Sequence, residues 1–242
     1  MMKGAKDKMD DWIKSREEVI SKCSYFASIR PRIRKLKSLE IPPTPKLFLN
    51  EAIGNFVFGM YFSAIALCRT ACEVALKYYA IEAYIKRCGS KKSIDKSIID
   101  GVVYADLSNL QLILGYSNIL TKSIKSAIRD VTKFGNIHVH GDIEKIANEY
   151  LRSSLTKKTL INYCLNLKKL DYMFSPEGIM ESGMFDGYSP TLEKIEITET
   201  EAKEILKQFP KVLTSPEAMP MAKRILTNTL KLYEVIFGKL LV

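Results

Sequence analysis

Apolar residues recur along most of this chain at spacings of three and four, the signature of amphipathic helices. Trp12, Ile13, Val19, Ile20, Cys23 and Phe26 make one face of a first helix over about residues 7–29, which Pro31 is expected to end. The Arg/Lys-rich and Pro-rich stretch that follows, to about Lys46, reads as a linker. From Asn55 to Arg87 the sequence lacks proline and closes at Gly89, a suitable C-terminal cap. Projected at about 100° per residue, Leu67, Ala71, Val74 and Tyr78 form one apolar side of this segment. Phe62, Ala66, Leu76 and Ala80 make the opposite side apolar too, as expected of a central helix. Arg69 and Glu73 are the exceptions, four residues apart on one face. Left unpaired inside a protein they would cost several kcal/mol, so each needs a partner.

A shorter helix is expected around Leu107 to Leu114, ended by Gly115. Ser117 or Asn118 then caps a helix expected to run to Phe134 and to stop at Gly135-Asn136. That helix is sharply two-sided. Leu120, Ile124, Ala127, Ile128 and Val131 share one face, whereas Lys122, Lys125, Arg129 and Lys133 fall within roughly 80° on the other. Further on, Leu151 to Met173 reads as one helix, and Phe174 to Ile197 as a Gly/Pro-bearing loop with room for a short strand near Lys194 to Ile197. Thr198 or Thr200 caps a helix over Glu201 to Phe209, and a last helix covers about Pro216 to Phe237. The sum is an all-α protein, a helical bundle with a long loop. Residues 1–46 form an N-terminal helix and basic linker, and residues 47–242 the helical domain.

Composition adds two constraints. Hydrophobic residues make up 47% and charged residues 26%, enough to build a core. The net charge of +10 favours polyanions near some surface, although twelve basic and six acidic residues within positions 1–46 concentrate part of the excess. Five cysteines (Cys23, Cys68, Cys72, Cys88 and Cys164) are scattered without a C-x-x-C pair or a signal peptide ahead of them, which fits buried thiols in a reducing cytoplasm. The uncharged stretch Ala52 to Cys68 spans 17 residues, contains Gly54, Asn55, Gly59 and Ser63, and runs into Arg69 and Glu73. It falls short of the roughly 20 residues a bilayer crossing needs, so a core helix is expected and no membrane partner.

The only two histidines stand in Gly135-Asn136-Ile137-His138-Val139-His140-Gly141-Asp142. His-x-His-x-Asp resembles the start of the metallo-β-lactamase metal motif, but that motif continues with a further His where this chain has Ile143, and no third histidine exists. No metal or other cofactor is expected. P-loop, dinucleotide-binding and nucleophile-elbow motifs are absent from the sequence.

The combination of Arg69-x-x-x-Glu73 in a central apolar helix, a helix ending in Ile128-Arg129, and then Gly135-Asn136 with His140 resembles the HEPN superfamily. The likeness is to its uncharacterised branches with a Gly-Asn-x-x-x-His signature, found in bacterial and archaeal proteins that often carry defence-associated domains. It spans about residues 55–145. Nuclease members are similar in using Arg-Asn-x-x-x-His, often with two copies facing each other in a dimer, to cleave RNA without metal. The resemblance thus implies a homodimer, RNA as a partner, and Asn136 and His140 at the family positions. A His suits proton transfer and an Arg suits a phosphate transition state. The family Arg position is Gly135 here, and Arg129, six positions earlier, replaces it only if the helix end folds back toward His140.

Other roles stand beside these. Asn136 can be a helix C-cap, His140 a structural histidine bonded to Glu73 or a backbone carbonyl, and Arg69 with Glu73 a helix-packing pair or a device that positions His140. The expected function is therefore a nucleic-acid-interacting helical module, catalytically weak or inactive, using Lys122, Lys125, Arg129 and Lys133. The alternatives are a metal-independent endoribonuclease using His140 and Arg129 with Asn136, and a structural module that binds a protein partner.

Overall fold

A computed structural model describes residues 3–89, 94–116, 121–139, 143–154, 156–184, 190–208 and 218–240. The protein is an all-α bundle, with twelve helices and no strand among the described residues. It divides into two compact units, one of residues 1–139 with 222–242 and one of residues 140–221.

In the first unit α1 (Lys3–Lys37) continues past Pro31. A proline removes one backbone donor and crowds the preceding turn, so the helix was expected to end there. Anchors on both sides of Pro31 hold it instead. Tyr25, Ile29 and Leu36 are buried, and the Tyr25 hydroxyl lies 3.0 Å from both the Lys223 carbonyl and the Thr227 hydroxyl. On the far side Arg32 pairs with Glu234 at 2.6 Å. The basic run Arg30 to Lys37 therefore belongs to the helix, not to a linker. Its last turn places Arg34, Lys35 and Lys37 at the negative end of the helix dipole.

Only residues 38–42 separate α1 from α2 (Pro43–Val57), which starts with proline where no backbone donor is needed. The single helix expected from Asn55 to Arg87 is interrupted. After α2 the chain turns at Phe58-Gly59, with Gly59 at φ 79°, before α3 (Tyr61–Cys88), which ends at Gly89 in the expected left-handed cap. The uncharged stretch 52–68 is thus shared by two helices packed on each other. Among the described residues, no helix is long and apolar enough to cross a membrane.

α3 is the axis of this unit. Ala64, Ile65, Cys68, Ala71, Cys72, Ala75 and Leu76 are all buried, and their mostly small side chains let neighbours approach closely. α4 (Lys96–Tyr104), α5 (Leu107–Tyr116) and α6 (Lys122–Val139) pack against it together with α2. α12 (Met219–Leu240) joins through polar contacts set in an apolar core. Cys72 Sγ donates to Thr229 Oγ1 (3.5 Å), and the Tyr233 hydroxyl donates toward the Pro45 and Ala71 carbonyls at 2.8 and 3.0 Å. Burial raises the Cys68 thiol to about 12 and moves Cys72 upward as well, so both are inert thiols. Cys23 is exposed and Cys88 half-buried, so burial does not extend to all five cysteines.

The second unit holds α7 (Ile143–Arg152), α8 (Lys157–Met173), α9 (Pro176–Met184), α10 (Pro190–Lys194) and α11 (Glu199–Gln208). The helix expected over Leu151 to Met173 is broken at 153–156, where buried Thr156 donates its hydroxyl to the Tyr150 carbonyl at 2.6 Å. The expected loop from Phe174 carries α9 and α10, both opened by proline. No strand forms at 194–197, since among the described residues there is no partner strand to complete a ladder. α11 opens with a capping box. Glu201 N donates to Thr198 Oγ1 (3.2 Å) while the Glu201 carboxylate accepts from Thr198 N (2.9 Å).

Candidate nucleic-acid interface

Thr121 precedes α6, and its Oγ1 accepts from Ile124 N at 3.4 Å. The expected caps Ser117 and Asn118 lie outside the described residues. Ile124, Ala127, Ile128, Val131 and Phe134 are buried, and the opposite side carries Lys122, Arg129 and Lys133 exposed with Lys125 half-buried. The two-sidedness expected from the sequence is present.

The end of the helix differs from expectation. α6 does not stop at Phe134; it continues through Gly135 and Asn136 to Val139. Gly135 is a point of close approach. A Cβ there would stand 2.3 Å from Arg69 Cβ and 2.9 Å from its Cγ, so only glycine lets α6 lie this close to α3. Nor is Asn136 a C-cap: its Oδ1 accepts from Arg69 Nε at 2.5 Å. Arg69 also pairs with Glu73 (3.0 Å), whose other oxygen accepts from Lys77 (2.8 Å). The three charged side chains are each about one-fifth exposed, and each has the partner its position requires. Lys77 was missed from the sequence, though its spacing of four from Glu73 was the available signal.

His138 is buried on the inner side of α6, with Nδ1 2.6 Å from the Phe134 carbonyl and its ring edge-on to Phe62 at 4.6 Å. Because a carbonyl only accepts, Nδ1 carries the proton. Burial pushes the ring down to about 4, against the opposing effect of that hydrogen bond. His138 is thus a neutral core histidine. His140 lies outside the described residues, and so does its expected contact with Glu73.

The structure brings Arg69, Glu73 and Asn136 together and leaves Arg129 apart. Arg129 and Asn136 are seven residues apart on one continuous helix, about 10 Å along its axis. No fold-back of the chain occurs between them. In projection Asn136 falls about 20° from Arg129, so the cationic face leads along α6 to the amide that Arg69 holds. Asp130, the acidic residue within this stretch of α6, is turned toward α12. There it accepts from Arg224 Nε and Nη2 (3.0 and 2.5 Å) and from Asn228 Nδ2 (3.3 Å).

No family model, no curated protein and no solved structure matches the chain. Chemically, the arrangement offers a row of ammonium and guanidinium groups along one side of α6, most of them exposed. Its one acidic intruder is neutralised from the neighbouring helix. Such a face suits a polyanion.

Proposed function

We propose that this chain is a HEPN-like helical module that interacts with nucleic acid, RNA foremost, through the α6 face carrying Lys122, Lys125, Arg129 and Lys133, and that it serves a defence-associated role without strong catalysis. The observation behind the reading is that one side of α6 is sealed against α3 while the other carries these four cations, with Lys122, Arg129 and Lys133 exposed and Lys125 half-buried. The net charge of +10 adds long-range attraction for a polyanion.

Each phosphate neutralised on a single strand contributes about 0.7 to the slope of log K against log salt, so four contacts give a slope near 2.8. Fluorescence anisotropy with a single-stranded RNA across a salt series tests this. The double variant Lys122→Glu, Lys125→Glu should bind more weakly and flatten the slope by about 1.4. Unchanged binding in that variant, or no binding by the wild type at low salt, removes the reading.

A second reading, a metal-independent endoribonuclease at the end of the same helix, is favoured by one observation. Although position 135 is glycine, the Arg69 guanidinium sits against Asn136, so a cation stands beside the family amide position. In this reading Arg69 replaces Arg129 as the phosphate-facing cation and His140 moves the proton. RNA cleavage that persists in EDTA and disappears in His140→Ala supports it; the same cleavage in that variant rules it out.

A further inference from the structure

Beside the cationic face, α6 and α12 enclose an open groove of about 480 Å³ that the reading above does not use. Lys122, Ser123 and Ser126 line it from α6, and Asn228 and Lys231 from α12. Among the described residues, neither Lys122 nor Lys231 has a hydrogen-bond or ion-pair partner. The carboxylate in the groove, Asp130, is held by Arg224 and Asn228, so it does not cancel the two ammonium groups. The groove wall therefore carries two cations against one anion, and that anion is already neutralised by Arg224. Its uncharged polar lining consists of two hydroxyls and an amide, all able to donate.

A ligand that satisfies two ammoniums and several neutral donors must be rich in acceptors and negatively charged. A tetrahedral phosphate fits that demand better than a planar carboxylate, because its oxygens point toward both walls at once. The volume exceeds a bare ion and lies within the range of sites for small organic ligands, roughly 300–1,000 Å³. There is room for the sugar or base attached to the phosphate. Lys122 belongs both to this groove and to the exposed row on α6, so a strand lying along that row reaches the groove at its first cation.

We propose that the α6–α12 groove is a phosphate-binding site, with Lys231 and Lys122 as its cationic walls, and that it takes a backbone phosphate of the same polynucleotide that lies along α6. The polynucleotide half of this statement rests on the function proposed above; the phosphate site stands on the groove alone.

The test pairs Lys231→Gln with Lys231→Arg in the full chain and uses two probes, a single-stranded RNA and inorganic pyrophosphate at matched ionic strength. With RNA, Lys231→Gln should reduce the salt slope by about 0.7, one phosphate contact, while Lys231→Arg keeps the wild-type slope. With pyrophosphate, the Asn228 side-chain amide resonance should shift in the wild type and in Lys231→Arg but not in Lys231→Gln. If RNA binds with the same slope in all three proteins, the groove is off the path and the inference is overturned, while the α6 reading survives. If RNA does not bind at all, that reading fails and pyrophosphate decides the groove. A shift lost in Lys231→Gln then supports a site for free phosphate compounds, and no shift overturns it. Overlaid backbone amide spectra show that all three proteins share one fold.

Discussion

Replacing Gly135 by alanine should destabilise the first unit, although alanine is the better helix former. The new Cβ would lie 2.3 Å from Arg69 Cβ, 2.9 Å from Cγ and 3.1 Å from Cδ. Carbon atoms pack at about 3.5–4.0 Å, so the first contact is short by roughly 1.2 Å. That atom is fixed to the backbone of α3, so no rotamer change relieves the clash and the two helices must separate. Overpacking of this kind costs about 1–3 kcal/mol, and the upper part applies because backbone must move. Separation also weakens the bond from Arg69 Nε to Asn136, a loss of about 0.5 kcal/mol after discounting for partial exposure. The intrinsic gain from glycine to alanine in a helix returns up to about 1 kcal/mol. The net is a loss of about 2 kcal/mol. Urea unfolding followed by circular dichroism should then show a midpoint lower by about 1 M, taking a slope near 2 kcal/mol/M. Second-site variants identify the cause. Arg69→Ala keeps the offending Cβ, so Gly135→Ala should remain costly in that background; Arg69→Gly removes it, so the cost should vanish. Gly54→Ala, where an added Cβ meets nothing within 4 Å, serves as the control and should be neutral or mildly stabilising. A Gly135→Ala protein as stable as the wild type would refute the close-approach argument.

His138 sets a pH dependence of known sign. Its ring is held down to about 4 by burial against an ordinary value near 6.5, so between these the unfolded chain binds the extra proton. Its contribution is complete above pH 6.5 and is lost as the pH falls through the interval to 4, amounting to about 3 kcal/mol. His138→Gln should flatten the stability profile in this range, and an imidazole resonance titrating near 6.5 in the native protein would contradict the assignment. Thiol labelling with a disulfide reagent at pH 8 should modify exposed Cys23 readily. Cys68, Cys72 and Cys164, raised by burial, should stay untouched until denaturant is added. Rapid labelling of all five would mean that the α3 core is open. Removing the α11 cap with Thr198→Ala should cost about 1 kcal/mol, readable as earlier exchange of the α11 amides, and no change would show the capping box to be idle.

Periodicity carried the sequence reading wherever one helix face decided the outcome. The two sides of α6, the left-handed Gly89 and the Thr198 capping box were all legible because each depends on residues within a turn or two, whereas α3, expected to be apolar all round, buries one side and leaves Phe62, Leu67, Val74 and Tyr78 only half-buried. Pro31 was misread because its penalty is offset by Tyr25 and Arg32, whose partners lie about 200 residues away on α12. Gly135-Asn136 was misread for a related reason. Glycine and asparagine are the residues of helix ends, and also of places where one helix must touch another. Only the location of Arg69, 66 residues earlier, separates the two meanings. The need for partners at Arg69 and Glu73 followed from charge alone, but their identities did not. The burial of His138 had its own signal, a spacing of four from Phe134 on the apolar face of α6.

The central claim is that nucleic acid lies on α6. Lysine footprinting with an amine-reactive reagent, read by mass spectrometry with and without saturating single-stranded RNA, addresses it most directly. The account predicts protection of Lys122, Lys125 and Lys133, with Lys35 and Lys37 at the end of α1 still reactive. Protection confined to the α1 lysines, with the α6 lysines reacting as fast as in the free protein, would contradict it.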